Sequence, residues 1–238
     1  MKTSTQAALR RRDALTAYLF LAPFLVIYAV LLVFPFFKGI WISLHDWELA
    51  GNYRKFIGFL NYQDLWHDAV FWKVVGNTLL FVVLTVPTMT LLALALALAV
   101  FGRGRLKGVL RSIFFMSSVF SVSVVTLLWQ MVLSGDKGLL VPLFQWFGVQ
   151  PINFLGSPTF AMPSLVVTTL WWGVGLPMAL FLAALSQIPS ELYEAAELDH
   201  AGRATVLWNI TLPSIRNTLL LVLVLKVVAV ASTTGSGA

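Results

Sequence analysis

Long apolar runs without charge constrain this chain more than any other feature of its sequence. Four of them, residues 14–37, 74–101, 112–133 and 162–185, contain no Asp, Glu, Lys or Arg. A helix needs about 20 residues to cross the hydrocarbon core of a bilayer, and an open strand would leave its backbone groups unpaired in lipid. The runs therefore predict an all-α, polytopic membrane helix bundle.

A fifth apolar run, residues 217–231, is shorter and contains Lys226. Its fifteen residues would reach roughly 23 Å as a helix, less than the ~30 Å core of a bilayer. A polar Ser-Thr-Thr-Gly-Ser-Gly-Ala tail follows. We expect a short fifth span in a C-terminally truncated domain. We also expect Lys226 either to face a polar cavity or to extend its ammonium toward the membrane surface.

The charged residues indicate topology. Only 11% of the residues are charged, against about 25% in soluble domains, and the net charge is +6. Basic residues cluster beside apolar runs, which is the pattern of cytoplasmic segments in membrane proteins and not of a nucleic-acid site. Residues 1–13 and the loop at 102–111 are therefore predicted to be cytoplasmic. The clustered cations are Lys2, Arg10, Arg11, Arg12, Arg103, Arg105, Lys107 and Arg111.

Two segments between the runs are predicted to lie on the outer side of the membrane. Residues 38–73 are rich in Trp and Tyr and contain an amphipathic stretch near 61–72. Anchoring at the membrane interface explains such aromatic residues, and stacking on a sugar is the alternative. Residues 134–161 are rich in Gly and Pro and form the second outer loop.

The sequence contains no pattern for chemistry at a bound cofactor. No G-x-x-x-x-G-K-[ST] or G-x-G-x-x-G motif occurs, and the chain has no cysteine. His45, His67 and His200 all fall in predicted loops. We therefore assign no catalytic residue, metal ligand or cofactor, and we expect ATP to be bound elsewhere than on this chain.

Hydroxyl and glycine residues within the runs are candidates for a transport pathway. In the third run Ser118, Ser121 and Val125 share one face of a continuous helix, although such hydroxyls can also bond to their own helix. The fourth run contains Trp-Trp-Gly-Val-Gly-Leu-Pro-Met at 171–178, which predicts a kinked or locally unwound helix. Packing of small residues is the alternative there. The candidate pathway residues are Ser118, Ser121, Trp172, Gly173, Gly175 and Met178.

A polar segment of 24 residues, 190–213, separates the fourth and fifth runs and holds four of the ten acidic residues. It reads as two short helices, with Ser190 as N-cap and a break at Asp199-His200-Ala201-Gly202. Pro213 marks the start of the next span. Ala195 and Ala196 keep one surface small enough for the backbone of another protein to approach.

Within this segment, Glu194-Ala195-Ala196, Asp199, Ala201 and Ile210-Thr211-Leu212-Pro213 have the spacing of the EAA loop of ABC importer permeases. The chain most resembles the carbohydrate branch, which is similar to the maltose and glycerol-3-phosphate permeases. It departs from the pattern at His200, where the family usually has Gly. If residue 200 needs a positive φ, His costs something like 1 kcal/mol relative to Gly, unless Gly202 takes over part of the turn.

The resemblance implies a type I importer transmembrane domain over residues 14–238, with five spans present and a sixth missing. The EAA-like loop (residues 190–213) would dock a helix into a cytoplasmic ATPase. The residues assigned to this coupling are Glu191, Glu194, Ala195, Ala196, Asp199, Ala201 and Gly202. The implied partners are a second permease, an ATPase dimer and an extracytoplasmic solute-binding protein, in lipid of a bacterial inner membrane.

The function implied is import of a sugar or sugar-phosphate-like solute by a subunit that performs no chemistry itself. An intramembrane enzyme or a structural membrane scaffold is the alternative, although an enzyme would be expected to carry acids or histidines inside its spans. A channel would need a filter motif or a charged ring, and neither occurs. The tryptophans suit a sugar and the positive charge suits a phosphorylated one, so the solute stays open.

Overall fold

A computed structural model describes residues 16, 18–47, 54–135 and 137–235 of the chain. The predicted cytoplasmic segment 1–13 lies outside the described residues. The described part is almost entirely helical, as predicted. It divides into two compact units, Met1–Val74 and Val75–Ala238.

The first unit contains helix α1 (Tyr18–Ser43), a two-stranded antiparallel sheet and helix α2 (Leu60–His67). The strands are β1 (His45–Trp47) and β2 (Arg54–Phe56), and they were not predicted. The Asn61 side chain donates to the carbonyls of Ser43 and His45, at 2.9 and 3.2 Å, and so ties α2 to the end of α1. The amphipathic helix expected near 61–72 is therefore present but ends earlier, and a new helix begins at Ala69.

The aromatic residues of the first unit pack against one another. The ring centroids of Trp41 and His45 are 4.0 Å apart, and those of Trp66 and Trp72 are 4.9 Å apart. The Trp72 indole N–H also donates to the Trp66 carbonyl at 2.8 Å. These contacts give the rings a structural role within the first unit.

The second unit continues with α3 (Ala69–Val100), which crosses the boundary between the units, and α4 (Arg105–Met116). After a 3-10 turn at Ser117–Val119 come α5 (Val122–Leu133) and the short α6 (Val141–Trp146). Helices α7 (Ala161–Gly173) and α8 (Gly175–Leu185) follow. The EAA-like loop forms α9 (Ser190–Leu198) and α10 (Arg203–Val206), then a π-helical turn at Leu207–Thr211 leads into α11 (Leu212–Gly235).

Within the described residues, three helices are long and apolar enough to cross a membrane: Tyr18–Ser43, Ala69–Val100 and Arg203–Val230. Two bent helix pairs qualify when each is counted as one span, which brings the total to five. The pair Arg105–Val119 and Val122–Leu133 is bent by 100°, and the pair Ala161–Gly173 and Gly175–Leu185 by 47°. The prediction of a helical membrane bundle is confirmed.

The predicted course of the second, third and fifth spans needs correction. Pro87 lies inside the second apolar run and predicts a break there. That prediction is wrong, because loss of a single ladder bond leaves α3 continuous. The third run does not form one helix, since Phe120 and Ser121 adopt extended dihedrals between α4 and α5. The fifth span is not short: Pro213 lies inside a helix that reaches Gly235, which is about 36 Å of α-helix from Leu212.

Both π-helical turns lie just ahead of a proline. One covers Ala29–Val33 before Pro35, and the other covers Leu207–Thr211 before Pro213. In each, the residue preceding the proline donates its N–H to the carbonyl five positions back. The wider turn makes room for a proline ring that would clash in a regular helix, so both helices continue through their prolines.

The core of the second unit is built by α3, α8 and α11. Ala93 and Ala97 of α3 are completely buried, whereas Ala95 and Ala99 of the same alternating Leu-Ala run are exposed. A helix brings residues four apart to one face, so only half of the alternating alanines meet the core. Their small side chains permit the close packing expected of membrane helices. The other core residues are Met89, Leu94, Val100, Val174, Met178, Phe181, Leu185, Ile215 and Val222.

The basic segment at 102–111 is mostly the first turns of α4, not a loop. The Arg111 guanidinium donates to the carbonyls of Val100 and Gly102, at 2.7 and 2.6 Å. The Lys107 ammonium donates to the carbonyl of Phe101. These cations satisfy the unpaired carbonyls at the end of α3 and oppose its negative dipole end.

Candidate functional site

The first helix of the EAA-like loop begins one residue earlier than predicted. Pro189 is the N-cap, with φ −57° and ψ 134°, and Ser190 is already the first helical residue without a capping hydrogen bond. The prediction of Ser190 as N-cap is therefore wrong, because Pro189 itself supplies the extended entry to the helix. Glu191 does lie in the first turn, where the helix dipole favours a negative charge.

Helix α9 has one face packed on the chain and one face open. Ala196 is only 7% exposed, and the Tyr193 hydroxyl lies 3.3 Å from the Thr211 hydroxyl in the π-helical turn. Glu191, Glu194 and Ala195 are exposed on the other side. The two alanines therefore have separate environments. Ala196 packs within this chain, and only Ala195 is open to another molecule.

His200 occupies a position that favours glycine. Its φ is +53°, in the left-handed region. The His200 N–H donates to the Glu197 carbonyl at 3.0 Å, and the Ala201 N–H donates to the Ala196 carbonyl at 2.9 Å. These two bonds form a Schellman motif that ends α9, with His200 at the position where glycine is usual. Gly202 does not take over this role, since it is extended (φ −66°, ψ 155°) and caps α10.

We expect His200→Gly to stabilise the end of α9. Glycine reaches positive φ without the roughly 1 kcal/mol cost borne by a residue with a Cβ. The backbone amide hydrogens of residues 200 and 201 should exchange with deuterium about fivefold more slowly. Hydrogen–deuterium exchange of the purified protein measures these rates. Gly202→Ala is the matched control, because that residue is extended and a Cβ there would meet open space. Faster exchange in His200→Gly would show that the imidazole makes a contact needed by the turn.

A groove runs beside the EAA-like loop. It has a volume of about 500 Å³ and lies between α9, the π-helical turn and the first turns of α11. Its lining combines apolar side chains with amides, a hydroxyl and the Arg216 guanidinium. The lining residues are Leu192, Asn209, Ile210, Pro213, Ser214, Arg216 and Asn217.

The fourth span is interrupted as predicted. Helices α7 and α8 meet at Val174 with a bend of 47°. The Ser118 hydroxyl donates to the Trp172 carbonyl at 3.1 Å, and the Trp172 indole N–H donates to the Phe120 carbonyl at 2.9 Å. The break in the fourth span therefore lies directly against the break in the third, and polar groups of each satisfy the other.

Gly175 allows this close approach, and Gly173 leaves room for neighbours from α3 and α11. A Cβ on Gly175 would lie 2.7 Å from the Phe114 carbonyl oxygen and 2.9 Å from the Phe115 Cα. A Cβ on Gly173 would lie 2.9 Å from the Met89 Cε, which is the end of a flexible side chain. Gly175 is thus required by backbone contact, while the space around Gly173 is shared with side chains of α3 and α11.

Lys226 has a hydrogen-bond partner that the sequence did not predict. Its ammonium donates to the Gly173 carbonyl at 3.0 Å, across 53 positions in sequence. The charge in the fifth run is therefore directed at the break in the fourth span.

Comparison with known proteins identifies the family. The model of the family described as "binding-protein-dependent transport system inner membrane component" matches residues 89–236, which include the broken fourth span and the whole EAA-like loop. The chain belongs to this family. It is a multi-pass membrane permease of an ABC importer.

Individual relatives agree with the family assignment. The chain is 32% identical over 206 residues to the "Probable ABC transporter permease protein YurN" of Bacillus subtilis, covering 85% of this chain and 70% of that one. It is 30% identical over 228 residues to the "Trehalose/maltose transport system permease protein MalF" of Thermococcus litoralis, covering 96% and 77%.

A solved structure shares the fold. The crystal structure of a bacterial alginate ABC transporter in complex with alginate pentasaccharide-bound periplasmic protein contains a similar chain, with a TM-score of 0.76 and 25% identity. The similarity covers 91% of this chain and 72% of that one.

The permease brings together four of the six candidate pathway residues. Ser118, Trp172, Gly173 and Gly175 surround the break in the fourth span. Ser121 has a local role, because it is the N-cap of α5 and its hydroxyl accepts from the Val124 N–H at 3.4 Å. The expected stripe of Ser118, Ser121 and Val125 on one helix face is wrong, since Ser118 and Ser121 belong to segments bent by 100°. Met178 is 1% exposed and packs in the core of the second unit.

Sequence reasoning missed two neighbours of the break in this permease. Met89 reaches Gly173 from α3, and the Phe120 carbonyl accepts from Trp172. No local pattern marks Met89, because one methionine in an apolar helix looks like any other core residue. Phe120 could have been found only by recognising that the serines around it begin a new helix.

Proposed function

We propose that this permease carries a sugar or sugar-phosphate-like solute across a bacterial inner membrane, driven by a partner ATPase. Two similar proteins support the solute class: a trehalose/maltose permease and a transporter solved with an alginate pentasaccharide-bound periplasmic protein. In this proposal the chain works with a second permease, an ATPase dimer and an extracytoplasmic solute-binding protein. The chain performs no chemistry itself, and ATP is hydrolysed by the partner.

We infer that α9 docks into the ATPase. The observation that carries this inference is the open acidic face of α9, which presents Glu191, Glu194 and Ala195 beside the Schellman turn at Asp199 to Ala201. Ala196 lies on the packed face of α9 and holds the helix against its own chain. A helix held on one side and open on the other is suited to transmit force from a bound partner.

The helices that flank the EAA-like loop can transmit a movement of α9 to the membrane-spanning part of the chain. Helix α8 leads into the EAA-like loop and α11 leaves it, and their side chains share one core, with Met178 and Phe181 of α8 near Ile215 and Val222 of α11. Movement of the loop would therefore move α8 and α11 together. This fits alternating access by rocking of helices around a binding site.

The orientation belongs to the proposal. Arg103 is exposed between α3 and α4, and Arg105 is exposed at the first residue of α4, as expected for a cytoplasmic segment. The EAA-like loop lies two spans further along the chain and so falls on the same side of the membrane. Two spans precede the basic segment at 102–111 and four precede the EAA-like loop. Because both counts are even, the proposal has the N-terminus on the same side as these segments, in the cytoplasm.

Uptake into proteoliposomes tests the proposal. The permease, its second permease, the ATPase and the binding protein are reconstituted, and ATP-dependent accumulation of labelled disaccharides and sugar phosphates is measured. A thermal-shift screen of the binding protein against both solute classes chooses the labelled compound. An ATPase unable to hydrolyse ATP is the control. Accumulation that persists with this control, or an ATPase that fails to co-purify in mild detergent, would contradict the proposal.

A further inference from the structure

The carbonyl of Gly173 lacks its normal helical partner. In an α-helix each carbonyl accepts from the N–H four positions later, which for Gly173 is residue 177. Residue 177 is proline and has no N–H. The ladder resumes one residue on, where the Met178 N–H donates to the Val174 carbonyl at 3.1 Å. An unpaired carbonyl at this depth in a membrane is strongly unfavourable, because no water is available to satisfy it.

Lys226 of α11 supplies the missing donor. Its ammonium lies 3.0 Å from the Gly173 carbonyl oxygen, at the C-terminal end of α7. A cation at this end of a helix bonds the last carbonyls and opposes the negative end of the dipole. A Cβ on Gly173 would lie only 3.4 Å from the same ammonium, so the glycine leaves room for it.

The preceding carbonyl is satisfied in the same way from another helix. The Trp172 carbonyl accepts from the hydroxyl of Ser118, which lies in the 3-10 turn after α4. Two successive carbonyls at the bend are therefore bonded by side chains of two different helices. The bend is held by tertiary contacts and not by the local backbone alone.

We propose that Lys226 is a positioning residue, whose ammonium replaces the N–H that Pro177 lacks and thereby fixes the bend between α7 and α8. Because α11 leaves the EAA-like loop directly, this hydrogen bond also ties the bend to the helix that emerges from that loop. The bond explains why a charged residue occurs in an apolar span, where a lysine without a partner would be costly.

A double-substitution cycle in the full-length permease tests this assignment. Lys226→Met removes the ammonium while keeping an unbranched side chain. Pro177→Ala restores a backbone N–H four residues after Gly173. We expect Lys226→Met to lower uptake by the assembled transporter about tenfold and to lower the apparent melting temperature, because the Gly173 carbonyl becomes unpaired. Adding Pro177→Ala should recover both, and Lys226→Arg, which keeps a cationic donor, should retain both.

Pro213→Ala is the matched control, because it restores an N–H in another helix and should not rescue Lys226→Met. If Pro177→Ala alone impairs uptake, the comparison uses the apparent melting temperature instead. In the Pro177→Ala background, Lys226→Met should then change the melting temperature little. If Lys226→Met yields no folded protein, recovery of folded protein on adding Pro177→Ala supports the assignment. Wild-type behaviour of Lys226→Met, or equal losses with and without Pro177→Ala, would overturn it.

Discussion

Glu194→Arg is expected to abolish solute-stimulated ATP hydrolysis in the assembled transporter while the permease still inserts into the membrane. Glu194 is exposed on the open face of α9, so the change leaves the core of this chain intact. Reversing a charge that is covered by a partner costs about 2–5 kcal/mol. At about 1.4 kcal/mol for each factor of ten, we expect a loss of roughly 30-fold or more.

Asp64→Arg is the matched control for this prediction. It makes the same change of charge on α2, an exposed helix of the first unit that is predicted to lie on the outer side of the membrane. It should leave stimulated ATP hydrolysis close to that of the wild type. Amounts of inserted permease are compared by quantitative blotting of membranes. Normal stimulation in Glu194→Arg would show that the open face of α9 is not the docking surface.

Gly175→Ala is expected to destabilise the permease itself. The added Cβ would approach the Ser118 Oγ to 2.5 Å, the Phe114 carbonyl oxygen to 2.7 Å and the Phe115 Cα to 2.9 Å. Two of these neighbours are backbone atoms, so relief requires the third and fourth spans to separate. Overpacking of this kind costs typically about 1–3 kcal/mol, which outweighs the gain of up to about 1 kcal/mol from replacing a helical glycine.

Two other glycines of the same chain serve as controls for Gly175→Ala. In Gly173→Ala the nearest neighbour is the flexible end of Met89, so the loss should be smaller. In Gly108→Ala, within α4, a Cβ meets nothing within 4 Å, so the stability should be unchanged or slightly raised. Apparent melting temperatures in detergent should follow the order Gly108→Ala, Gly173→Ala, Gly175→Ala from highest to lowest. A Gly175→Ala protein as stable as Gly108→Ala would contradict the close approach of the two breaks.

Local sequence features were sufficient to predict much of this permease. The apolar runs predicted the helical membrane bundle, because the need to satisfy the backbone in lipid leaves few alternatives. Two glycines and a proline predicted the interruption at Gly173 to Pro177, which the bend between α7 and α8 confirms. At His200, where the family usually has Gly, φ is +53°, which meets the condition under which we expected His to be costly. Each of these features depends on residues within a few positions of one another.

Other features followed only from the tertiary structure. Hydrophobicity alone could not show that the third run turns by 100° at Ser121, nor that a π-helical turn carries α11 through Pro213. The alanine pair of α9 looked like one surface, and packing against the chain buried Ala196 alone. In these cases residues distant in sequence decided which local conformation was stable.

Lys226 shows the difference most clearly. The sequence predicted that Lys226 would face a polar cavity or extend its ammonium toward the membrane surface. Residue 177 is proline and has no N–H, so the Gly173 carbonyl lacks its normal helical donor. Nothing in the sequence linked the two, since Lys226 lies 53 positions after Gly173 and on a different helix. The backbone requirement is local and can be deduced from residue type. The donor that meets it is chosen by the packing of α11 against α8, which depends on the whole core.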